Sequence, residues 1–188
     1  MKHSGKMTVF LAALFAASAQ QSGPRGTAID IGSAEIQATV RKTAQLAVSD
    51  QQLRVVGVNG EYNIGIGVVH RAKTNGPQTA NGVEHSQITE VYHVISGNAT
   101  LVTGGTLENG KPVPADNEAV KVLNGPSTFG GAILKGVSRQ IGPGDVVIIP
   151  PNTPHWFSAI VSDQIVYLVV RMDPQKVLPT GYDDRRAP

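Results

Sequence analysis

The sequence contains no cysteine, which removes disulfides, thiolate metal ligands and a lipid-modified N-terminal cysteine from consideration. Aromatic residues make up only 5% of the chain, which argues against a broad stacking platform for sugars. Charge is also sparse, at 16%. The 16 Lys and Arg stand against 14 Asp and Glu, and two of those bases, Lys2 and Lys6, lie in the first few residues. Without them the balance is even, so no concentrated basic face is expected for nucleic acid or an anionic membrane surface. The longest apolar run, Met7 to Ala19, is about 13 residues, short of the roughly 20 that span a bilayer.

That run has a meaning of its own. It follows a short start carrying Lys2 and Lys6 and closes on Ala17-Ser18-Ala19. A charged start, a short apolar core and a small-x-small site describe a secretory signal peptide over residues 1–19. The expectation is a periplasmic or secreted protein, free of the membrane once the signal is cleaved. The alternative for this run is an anchor or a buried helix.

What the chain does have is glycine (21) and proline (12), a profile of short strands and tight turns. Residues 20–50 read as a polar leader followed by a short helix from Ala34 to Ala47. Ser33 would cap that helix, with Ile36, Val40 and Leu46 turned inward. From residue 51 the period changes to two. Leu53–Val58 and Tyr62–Arg71 flank Asn59-Gly60, a strong two-residue hairpin signal. Further strands are expected at Glu90–Ile95, Ala99–Thr103, Val146–Ile149 and Gln164–Arg171. Gly142-Pro143-Gly144-Asp145 suits a type II turn. Residues 104–125 read as a surface excursion between strands. No long helix alternates with the strands, so the domain over residues 51–172 is expected to be all-β and antiparallel. Residues 173–188 form a tail along its outside.

Four histidines follow the leader: His70, His85, His93 and His155. His85-Ser-Gln-Ile-Thr-Glu90 sets an imidazole and a carboxylate at the entry to a strand that ends at Gly97. Gly142-Pro-Gly-Asp145 is followed by a four-residue apolar strand and then Pro150-Pro-Asn-Thr-Pro-His155-Trp156. The first of these segments resembles the first cupin motif, and the second resembles the second cupin motif, in order and at plausible spacing. The likeness spans roughly Tyr62 to Val170.

The resemblance implies an antiparallel jelly-roll barrel with one divalent metal ion near its mouth. Carried over position by position, His85, Glu90 and His155 match metal ligands. Val83 stands where four-ligand members have a further His, leaving either an open coordination position or a lost site. Asn152 replaces a common Gly, a mild change because Asn tolerates the left-handed backbone. Two imidazoles and one carboxylate suit non-haem iron and would also accept zinc, manganese, nickel or copper.

Two further side chains are candidates for moving a proton. Tyr92 shares strand parity with Glu90 and can line the cavity or simply pack in the core. His70 shares a face with Ile64, Ile66 and Val68, and can point into the barrel as acid or base or be a hydrogen-bonded core residue. His93 has the opposite parity from Glu90 and should face away from it. Two functions fit: a metal-dependent enzyme of oxygenase, lyase or isomerase type acting on a small organic molecule, or a binding module for a small molecule or sugar. The family is so varied that its fold gives no substrate. The resemblance also implies a homodimer.

Overall fold

The computed structural model describes residues 27–75 and 79–186. The signal segment expected over residues 1–19 lies outside the described residues. Among the described residues no helix is long and apolar enough to cross a membrane.

One helix, α1 (Ser33–Thr43), precedes thirteen strands. These are β1 (Val48–Val58), β2 (Tyr62–Ala72), β3 (Gly82–His85), β4 (Thr89–Ser96), β5 (Ala99–Thr103), β6 (Thr106–Leu107) and β7 (Lys111–Pro112). After a six-residue π-helical turn (Ala119–Asn124) come β8 (Ser127–Gly130), β9 (Ile133–Leu134), β10 (Val137–Ile141), β11 (Val146–Ile149), β12 (His155–Ile160) and β13 (Gln164–Asp173). They form two main sheets, β1-β2-β13-β4-β11 and β10-β5-β12-β3-β8-β7, plus the small pair β6-β9. All of the strand pairings are antiparallel.

Eight of these strands carry the architecture. In one sheet the order is β2-β13-β4-β11, and in the other β10-β5-β12-β3; successive strands alternate between the sheets except from β5 to β10, which is the order of a double Greek key. That is a jelly roll, the fold expected from the sequence. β1 adds an edge to one sheet, and β8 and β7 extend the other.

Local chemistry explains the corners. Asn59 and Gly60 both adopt positive φ, 51° and 74°, and Glu61 N donates to Val58 O at 2.9 Å. This is the type I′ geometry whose twist matches the flanking strands. At the β10–β11 corner, Gly144 has φ 88°, Asp145 N donates to Gly142 O, and Gly142 N donates to the Asp145 carboxylate at 2.7 Å.

The sheets face each other across one apolar core. Val69, Tyr92, Val94, Tyr167 and Val169 of one sheet meet Leu101, Phe157 and Ile160 of the other. The outer face of the first sheet is covered at one side by α1, where Ile31, Ile36 and Val40 pack on Leu53, Val68 and Val166. Two helix expectations are corrected. Gly32 is the N-cap and Ser33 is the first helical residue, with no side-chain cap bond. Leu46 lies beyond the helix and is exposed. The tail is held from within: the fully buried Asp173 accepts from Asn63 Nδ2, Val177 N and Leu178 N, which seats Leu178 against Val55 and Ile88.

Candidate metal centre

His85 is the last residue of β3, Glu90 the second of β4 and His155 the first of β12, so all three lie at one end of the jelly roll. The β11–β12 turn delivers His155. Pro150 and Pro151 stop β11, Asn152 takes the left-handed backbone at φ 57°, and its N–H donates to His85 O at 2.8 Å. The turn is thereby tied to the end of β3, and the two imidazoles come to 5.2 Å between ring centroids.

The ligand atoms of His85, Glu90 and His155 all lie within 4.8 Å of one another, and all three residues are buried. His85 Nε2 is 3.7 Å and His155 Nε2 3.5 Å from Glu90 Oε2. The proton positions follow from the neighbours. Ser127 Oγ donates its only hydrogen to Gly125 O, so at 2.8 Å from His85 Nδ1 it must accept. His155 Nδ1 lies 3.0 Å from Thr153 O, which can only accept. Both rings therefore carry their proton on Nδ1, and both Nε2 lone pairs face the carboxylate.

Burial holds the charge state in the same direction. It lowers His85 to about 4, against an opposing pull from Glu90, and lowers His155 likewise. Burial alone would raise Glu90, but the attraction of His85, Arg171 and His155 and a hydrogen bond from Tyr92 hold it down at about 2. Two neutral nitrogen lone pairs thus converge on an anionic oxygen with no proton between them. A divalent cation resolves that arrangement, and the residues fit one. Val83 pairs with His155 across the sheet, so the position beside the ligands offers methyl groups rather than a third imidazole as fourth ligand.

A second set of side chains holds Glu90. The Tyr92 hydroxyl donates to Oε2 at 2.8 Å, and Arg171 Nε donates to Oε1 at 3.1 Å. Arg171, 1% exposed, also donates to Gln52 Oε1 at 2.8 Å and Asp50 Oδ2 at 2.5 Å. Room for it comes from two inward-facing glycines of β2. A Cβ on Gly67 would sit 3.0 Å from Arg171 Nη1, and one on Gly65 would sit 2.6 Å from Gln52 Nε2.

The other candidates separate cleanly. Tyr92 is in the site, its ring 4.5 Å from that of Tyr167, and burial keeps its phenol protonated. His70 is not. It pairs with Ser49 and Val166, on the opposite face of β2 from Val69, and lies buried on the side covered by α1. The reading of His70 as an acid or base inside the barrel is corrected by that placement, which strand parity imposes. Its Nδ1 has no partner among the described residues. His93 is exposed on the outer face. Sequence reasoning missed Ser127 and Arg171. A lone arginine at an inward position of an apolar strand was a usable signal for the second; nothing local marks Ser127. A separate cavity of about 310 Å³, lined by Asn98, Gln140, Asp145 and Val161 among others, lies at the opposite end of the strands.

A family described as the AraC-like ligand binding domain matches residues 130–181. No curated protein matches the sequence. Among solved structures the chain is similar to Peruvianin-I, a cysteine peptidase from Thevetia peruviana latex, at 12% identity and TM-score 0.43, over 70% of this chain and 64% of that one. It is similar to KdgF from Halomonas sp. at 12% identity and TM-score 0.41, over 70% and 84%. It is similar to the DMSP lyase DddQ from Ruegeria pomeroyi DSS-3 at 16% identity and TM-score 0.41, over 69% and 49%. The chain thus spans less than two thirds of the first and third of these proteins.

Proposed function

We propose that this jelly-roll chain is a cupin, and that it is a metal-dependent enzyme acting on a small organic molecule. The observation that carries this reading is the convergence of two neutral imidazole nitrogens and one anionic carboxylate oxygen within 4.8 Å. His85, Glu90 and His155 would hold the ion. Bound there, a divalent metal supplies Lewis-acid or oxygen-activating chemistry of the oxygenase, lyase or isomerase kind. The chain's own contribution is support and exclusion of water. Ser127 and Thr153 fix the imidazoles, Arg171 and Tyr92 fix the carboxylate, and Val83 keeps one side of the centre apolar. Tyr92 carries the one phenolic proton hydrogen-bonded to the ligand set and is the candidate proton carrier.

The test is turnover. Protein loaded with Fe²⁺, Mn²⁺, Zn²⁺, Ni²⁺ or Cu²⁺ is offered a panel of small organic acids and sugars, with products read by mass spectrometry. Product that appears with wild type and vanishes with Glu90→Gln supports the reading. Tight ligand binding with no product for any metal would instead favour a binding module, the reading that the ligand-binding family match over residues 130–181 speaks for.

Export and pairing complete the proposal. The leader over residues 1–19 would direct the chain to the periplasm or outside, and N-terminal sequencing of the mature protein should begin at Gln20. Two copies would form a homodimer, which light scattering tests.

A further inference from the structure

Arg71 is the last but one residue of β2, and its neighbour across the sheet is Ile165, a core residue, so its side chain enters the space between the sheets. Nε donates to the Tyr167 hydroxyl at 3.2 Å, and the guanidinium carbon lies 5.0 Å from the centroid of the Phe157 ring. Tyr167 and Phe157 both touch Tyr92, whose hydroxyl binds Glu90. The guanidinium is therefore anchored at one nitrogen and lies over the Phe157 ring, part of the same aromatic cluster that borders the metal centre.

Its two terminal amino groups donate to nothing among the described residues, and no carboxylate there forms an ion pair with it. Arg171, the other inward arginine, is by contrast saturated by Glu90, Gln52 and Asp50. A guanidinium anchored through Nε, with both terminal amino groups unpartnered among the described residues, matches a planar carboxylate in two parallel hydrogen bonds. Beside it lies an unused acceptor. Asp50 pairs with Val69, two residues before Arg71 on the same face, which makes the two side chains diagonal neighbours. Asp50 gives Oδ2 to Arg171, while its Oδ1 is buried without a partner.

We propose that Arg71 and Asp50 Oδ1 form a subsite for a small hydroxy acid, the carboxylate taken by the Arg71 fork and a hydroxyl donating to Asp50. This rests on the reading that the barrel receives a small molecule, and it names the substrate class for that site. A phosphate dianion fits less well, because it offers no donor to an acceptor-only oxygen and meets the Asp50 charge. A neutral sugar would leave the fork unpaired.

The test is calorimetric titration of the mature chain with lactate, lactamide and propionate, after chelator treatment so that metal chelation by lactate plays no part. Lactate should bind at least about tenfold more tightly than lactamide and measurably more tightly than propionate. Arg71→Gln should lose at least about tenfold toward lactate and leave lactamide unchanged. Should that variant fail to fold, Tyr167→Phe keeps the ring and frees the guanidinium, and should weaken lactate a few-fold. Equal binding of lactate and lactamide, unchanged lactate binding in Arg71→Gln, or no lactate binding by wild type each overturns the subsite. Elemental analysis of untreated protein from the same preparation separates the two claims: Arg71-dependent lactate binding in a chain that carries no metal keeps the subsite and removes the metal centre. A metal-bearing chain with no such discrimination does the reverse.

Discussion

Ser127 has a single hydroxyl hydrogen and gives it to Gly125 O. That leaves Oγ to accept from His85, and so a residue without a charge decides which nitrogen of His85 faces the centre. Ser127→Ala should weaken metal binding by about 10- to 100-fold, the usual cost of removing an outer partner of a ligating imidazole. Competition with a chromophoric chelator measures this, with circular dichroism showing the fold retained.

Acid tests the same three ligands from the other side. In metal-free protein His85 is depressed from 6.5 to about 4, so the unfolded chain takes a proton before the folded one does. Its contribution to stability is complete above pH 6.5 and is lost as pH falls toward 4. Glu90, depressed from 4.5 to about 2, extends the loss to lower pH. Unfolding free energies from urea titrations of the metal-free protein should therefore fall steadily from pH 7 to pH 4, by on the order of a few kcal/mol in total. A flat profile would contradict the neutral, buried imidazoles.

At this scale His85, Glu90 and His155 were legible because their strand-entry positions repeat a pattern. Arg71 and Arg171 close apolar strand runs, where a basic residue reads as a strand end unless its inward parity is weighed. Only the two sheets together show that one is paired and the other open.

Among the elements, β2 is the most informative. Its alternation of Ile64, Ile66 and Val68 with Gly65 and Gly67 puts the branched side chains on the outer face and leaves the inner face bare. That bareness accommodates Arg171 and Gln52. Gly67→Ala would push a methyl to within 3.0 Å of Arg171 Nη1 and of Gln51 O, and 3.1 Å of Val169. Overpacking of this kind costs about 1–3 kcal/mol. Thermal unfolding should show that loss together with weakened metal binding, because the displaced guanidinium holds Glu90.

The same network explains a boundary the sequence pattern concealed. The first strand was expected from Leu53 but begins at Val48, because the polar run Ser49, Asp50, Gln51 and Gln52 lacks the apolar alternation of a strand. Asp50 and Gln52 are polar precisely where Arg171 needs acceptors. The Asn59-Gly60 and Gly142–Asp145 turns, by contrast, were plain in the sequence, since their backbone geometry depends on residues within the turn itself. The helix start was off by one position because Gly32, not Ser33, takes the extended cap conformation at ψ 150°.

Over the whole molecule, the two sheets are held by one apolar core, and the centre closes its polar end. An ion bound only to the folded chain stabilises it, by about 2.7 kcal/mol at a hundredfold excess over Kd. For a chain of this length that is roughly 5–10 °C in Tm. Calorimetry of chelated protein should show such a decrease, restored by one divalent metal and not by Na⁺. Strand spacing made an antiparallel all-β domain legible, and the jelly roll came from the resemblance of the two motifs. The partners of the outer faces were not: Val146 and Ile148 of β11 are 62% and 66% exposed, apolar positions that a buried strand run does not distinguish from core. Ile148→Asp should leave the centre intact while shifting the proposed homodimer to monomer in light scattering.

The metal content of the mature protein tests the account most directly. Elemental analysis of wild type beside His155→Ala should give close to one divalent ion per chain in the first and almost none in the second. Equal content in the two proteins, or none in wild type after loading, would contradict it.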